Sequence, residues 1–149
     1  MRLLSLFAGG PIVLVGVFAT LLSLLASGLV MAADQFPFDQ ELLLDATPMP
    51  LAKRVPTLTV GPDGKAAIDL WCRSVNAQVE LSDAGIKIEP GPLPEGLPEM
   101  MSNGQCTPER IQADQDLLAA LVQATTWLMQ GNALVLAGAK PLRFRPATN

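Results

Sequence analysis

A change of hydrophobic period constrains this chain more than any other feature. From Thr57 to Glu89 apolar residues tend to recur at every second position, from Thr107 to Ala124 they recur at helical spacing, and beyond Ala124 the two-residue rhythm returns. Side chains alternate across a strand but repeat about every 3.6 residues around a helix, so a segment patterned for one cannot bury its apolar set as the other. The order is therefore several strands, one helix, then about three strands. It predicts an α+β domain: a small curved or barrel-like antiparallel β-sheet with one main α-helix packed on it. There is no internal repeat, and 149 residues leave room for one domain.

Glu41 to Asp45 reads as a first short strand and Thr57 to Val60 as a second, with Pro48, Pro50 and Pro56 preventing a regular element between them. Gly61-Pro62-Asp63-Gly64 has the composition of a tight turn. Ala66 to Cys72 alternates, placing Ile68, Leu70 and Cys72 on the buried face and Ala67, Asp69 and Trp71 on the other. Val75 to Leu81 is the clearest strand. Ser82 to Gly85 turns it back, and Ile86 and Ile88 alternate with Lys87 and Glu89 as its hairpin partner. Pro90 to Pro98 reads as a stiff crossing loop, or alternatively as an exposed polyproline-like ligand. Met100-Met101 is expected to fill core.

Thr107-Pro108-Glu109 starts the helix: Thr as N-cap, Pro in the first turn where its missing N–H costs nothing, and an acid beside the positive helix end. Ile111, Leu117, Leu118, Leu121 and Ala124 form its apolar stripe, with Gln112, Asp114, Asp116 and Gln123 expected to lie mainly away from it. Thr125 to Met129, the Gln130-Gly131-Asn132 turn and Ala133 to Leu136 read as a hairpin. A last strand follows, with Leu142 and Phe144 inward and Arg143 and Arg145 outward.

Ahead of this domain (residues 34–149), Met1-Arg2 leads into an uncharged run from Leu3 to Ala33. One charge, a long apolar stretch and small residues before Asp34 make residues 1–33 a secretory signal helix, with cleavage after Ala32, or an uncleaved anchor. Ile12 to Ala33 would give about 33 Å of helix, enough to span a bilayer. Both versions export the domain, leaving it periplasmic or secreted in one case and held at the inner membrane in the other. In the second case, residues 1–33 are its only membrane contact. No cysteine stands near the end of the run, which excludes a lipoprotein anchor.

The sequence contains no His and no Tyr. A His-based triad and a His metal site are thereby excluded, and acid–base work would fall to carboxylates or lysines. The 14 acidic residues outnumber the 10 basic ones, a balance that attracts no nucleic acid. Cys72 and Cys106 are the only cysteines. In an exported chain they most simply form a disulfide, worth ~3–4 kcal/mol on the chain-entropy model. Reactive or redox thiols and a metal pair are the rival readings. Trp71 and Trp127 are the aromatic anchors, and Trp71 is either covered by the helix or open to a partner.

The part from about Glu41 to Phe144 resembles the META-domain family, which includes HslJ-like bacterial heat-shock proteins. The resemblance is carried by Trp71-Cys72 with Asn76 following, Gln105-Cys106, the helix segment Asp114 to Leu121, and the closing Gly131-Asn132-Ala133-Leu134-Val135-Leu136 with Leu142-Arg143-Phe144. Trp71 stands where the family pattern has Gly, and Gln105 where it has Ala. The resemblance implies a small barrel-like envelope domain associated with stress tolerance, with no established catalytic residues and no cofactor. The expected function is thus an exported, non-enzymatic cell-envelope domain with a structural or binding role, toward an envelope protein or a small ligand. The alternatives are a thiol protein using Cys72 and Cys106, and an inhibitor or docking module presenting Pro90 to Pro98.

Overall fold

In the computed structural model the described residues are 35–50, 55–94, 104 and 106–148. The apolar run of residues 1–33, Met100-Met101, Gln105 and the second half of the Pro90–Pro98 loop lie outside them.

Among the described residues, eight strands and one helix follow in the expected order: β1 (Leu42–Leu44), β2 (Thr57–Val60), β3 (Lys65–Asp69), β4 (Ser74–Leu81), β5 (Ile86–Pro90), α1 (Pro108–Val122), β6 (Thr126–Gln130), β7 (Ala133–Ala137) and β8 (Leu142–Pro146). All pair antiparallel in one sheet, in the spatial order β5-β4-β3-β2-β1-β8-β7-β6. The first and last strands are therefore neighbours, with Leu44 opposite Phe144.

The two edge strands come together at a seam. Gly85 bridges Thr126, the Ile86 N–H donates to the Thr125 carbonyl at 3.0 Å, and the Trp127 N–H donates to the Ala84 carbonyl at 2.9 Å. The sheet is thus an almost closed barrel, a form that leaves little unpaired edge. Its interior is built by period-two burial: Val75, Ala77 and Val79 on β4, Ile86 and Ile88 on β5, Leu142 and Phe144 on β8.

Register places the two rims. At one, the segment before β1 lies across the opening. The Asp39 N–H donates to the Val60 carbonyl at 2.8 Å, while the buried Phe36 ring meets Trp127 edge-on at 5.2 Å between centroids. The Trp127 indole N–H is itself satisfied by the Ser82 carbonyl at 3.2 Å. At the other rim, α1 lies over the β3–β4 turn and packs against β5, with a pocket between it and the end of β1 and start of β8. Its start is as expected: the Thr107 side chain accepts from the Arg110 N–H, and Pro108 stands in the first turn. Leu117, Leu118, Leu121 and Ala124 are buried against the barrel.

Two expectations need correcting. Strand β3 ends at Asp69 rather than at Cys72. The Leu70 N–H turns back to the Arg73 carbonyl at 2.7 Å, and the next two N–H groups are taken by a side chain, so the ladder cannot continue. Cys72 consequently sits half-buried in a turn instead of inward on a strand. Asp114, expected on the polar side of α1, is fully buried.

Candidate functional site

The β3–β4 turn and the first half of α1 meet at that buried carboxylate. One oxygen of Asp114 accepts from the N–H groups of Trp71 (2.8 Å) and Cys72 (3.2 Å), and the other from Arg73 Nε (3.2 Å). A buried carboxylate is tolerable only when paired and hydrogen-bonded, and these three donors meet that condition. Burial pushes the Asp114 carboxyl above its ordinary pKa; the Arg73 guanidinium and the two backbone N–H groups oppose the shift without cancelling it. The Arg73 side chain is 11% exposed, and its Nη2 has no hydrogen-bond partner. Arg110, one turn earlier on α1, is also buried and donates to the Pro50 carbonyl at 2.7 Å, tying the proline-rich segment to the helix.

Cys72 and Cys106 are at bonding distance, with Cα atoms 5.3 Å apart, inside the usual range for a disulfide. Cys106 is buried and immediately precedes the N-cap Thr107. The turn is therefore fastened to α1 twice, covalently at the start of the helix and through Asp114 two turns into it.

The other side of the same junction is a pocket of about 300 Å³. Trp71, half-buried, forms one wall; Leu44 and Ala46 at the end of β1, Ala113 and Leu117 on α1, and Pro141 and Leu142 at the start of β8 complete the apolar lining. Four charged side chains border it: Asp45, Asp116, Lys140 and Arg143. Because the Trp71 N–H is held by Asp114 and Ala113 and Leu117 flank Asp114 on the helix, the clamp fixes two pocket walls relative to each other.

Of the residues singled out in the sequence, the structure brings Cys72 to Cys106 and places Trp71 in the pocket beside them. Trp127 stands elsewhere, half-buried at the barrel seam against Phe36. The half of the Pro90–Pro98 loop that is described begins where the Gly91 N–H extends β5 by donating to the Asn76 carbonyl at 2.8 Å. Sequence reasoning missed Asp114, Arg73 and Arg110. The signal for Asp114 was present: it stands three residues after Ile111 and three before Leu117, on the apolar stripe itself.

The META domain model matches residues 40–149. The chain belongs to the META domain family. The match takes in all eight strands, α1, both cysteines and Asp114, so clamp and pocket are parts of the META domain proper. A solved structure, a protein determined by NMR, is similar with a TM-score of 0.51 at 19% identity, over 71% of this chain and 87% of that one, a likeness of fold alone. No curated protein matches.

Proposed function

We propose that this META domain is an exported, non-enzymatic component of the cell envelope that acts in stress tolerance by binding, with the pocket beside Trp71 as its binding site. The pocket carries the reading. It is concave, mainly apolar, edged by a few charges and held by rigid elements, the usual form of a small-ligand site. Family membership supports an envelope-type domain without catalytic residues. The Cys72–Cys106 pair is compatible with an oxidising compartment, and the uncharged run from Leu3 to Ala33 supports export.

Two measurements test this. Cell fractionation should recover the protein outside the cytoplasm, and a thiol count under non-reducing, denaturing conditions should find none free. Cytoplasmic recovery with two titratable thiols would overturn the export reading and favour thiol chemistry at Cys72 and Cys106.

A further inference from the structure

The charges around the pocket are not all committed. Arg143 Nε pairs with Asp45 at 3.5 Å, and Arg143 Nη1 donates to Gln130 Oε1 at 2.8 Å, so this cation and this anion already have partners. Among the described residues, Asp116 and Lys140 pair neither with each other nor with another charge. Asp116, on α1, accepts only the Gln112 side-chain amide at 2.9 Å, which leaves its second oxygen open. Lys140, on the β7–β8 loop, has no hydrogen bond or ion pair among the described residues. An open carboxylate on the helix wall and an open ammonium on the loop wall thus border one apolar cavity.

This inference rests on the binding reading given above. We propose that the pocket takes a small zwitterion with an apolar side chain, of the chemical class of a free apolar α-amino acid. The ligand ammonium would face Asp116, its carboxylate would face Lys140, and its side chain would lie against Trp71 and Leu117. A cavity of about 300 Å³ accommodates such a molecule. The apolar wall supplies the favourable transfer of the side chain from water. The two open charges supply orientation: each charge-assisted hydrogen bond lost to a ligand lacking one group is worth about tenfold in affinity.

Calorimetric titration of the purified full chain with three probes tests the assignment: L-leucine, 4-methylpentanoate, which lacks the amine, and 3-methylbutylamine, which lacks the carboxylate. The expected result is binding of L-leucine, with each single-charge probe about tenfold weaker or more. Asp116→Asn should weaken L-leucine while leaving 4-methylpentanoate unchanged, and Lys140→Gln should weaken L-leucine while leaving the amine unchanged. Both side chains are exposed, so neither variant threatens the fold. Equal binding of the three probes would overturn the zwitterion assignment but keep an apolar pocket. Heat from none of them would overturn the small-ligand reading of the pocket as well.

Discussion

Asp114 is the residue on which the most depends. Truncating one member of a buried, hydrogen-bonded pair leaves the other charge stranded, so Asp114→Ala should cost about 3–5 kcal/mol in denaturant unfolding; a loss below about 1 kcal/mol would mean the clamp is ornamental. The same carboxyl has a pH signature. Its pKa is raised in the fold, so the native state keeps this proton where the unfolded chain has lost it. Its contribution to stability is therefore greatest at low pH and falls as pH rises from the unfolded value through the raised native one. Asp63, lowered by Lys65, and Glu109, lowered by hydrogen bonds at the helix start, run the opposite way and lose their contributions as pH falls. The stability gap between the wild type and Asp114→Asn should accordingly narrow as pH rises through the window just above the ordinary carboxylate range. A gap constant across that window would contradict the raised pKa.

At the scale of elements, turn chemistry and caps decided where strands and the helix begin and end. Gly64 closes the β2–β3 turn at φ 79°, and a Cβ there would stand 2.6 Å from the Val79 carbonyl oxygen. Gly64→Ala should therefore cost at least about 1–2 kcal/mol, read as a fall in melting temperature, because both the backbone angle and the space forbid it. Gly131, at φ 63°, takes the first central position of the two-residue β6–β7 turn, which suits a hairpin of this length. Thr107→Ala should cost about 1 kcal/mol through the lost N-cap. These boundaries were legible in the sequence because each rests on a local rule that a Gly, Pro or Thr obeys wherever it is placed. The end of β3 was not. Nothing within Ala66 to Cys72 stops the alternation; the ladder ends because a carboxylate some forty residues later captures the Trp71 and Cys72 N–H groups.

The barrel as a whole is sealed from both rims, and the two seals should fail differently. Phe36 closes one rim and contacts the seam through Trp127, so Phe36→Ala should lose about 3 kcal/mol or more. In hydrogen exchange the Ile86 and Trp127 amides, which bridge the seam, should lose protection first; unchanged exchange at both would separate Phe36 from closure. At the helix rim, replacing Cys72 and Cys106 with serine should cost ~3–4 kcal/mol. There the amides of the β3–β4 turn should exchange faster, and Trp71 emission should shift to the red as the pocket wall loosens.

Period, turns and caps, all local properties, determined from the sequence alone that the described part of the chain runs as strands, one helix, then strands, which faces of several strands are buried, and that its family is the META domain. The sequence also contained every residue of the site without showing it as one. Asp114 lay on the apolar stripe, and Trp71 beside a cysteine, but their meeting required the β3–β4 turn to come under the helix. Tertiary structure alone decided that the sheet closes, that Asp114 replaces a ladder partner, and that Asp116 and Lys140 face one cavity without pairing. Each of these depends on contacts between segments distant in the chain, and those are set by how the whole barrel buries its core.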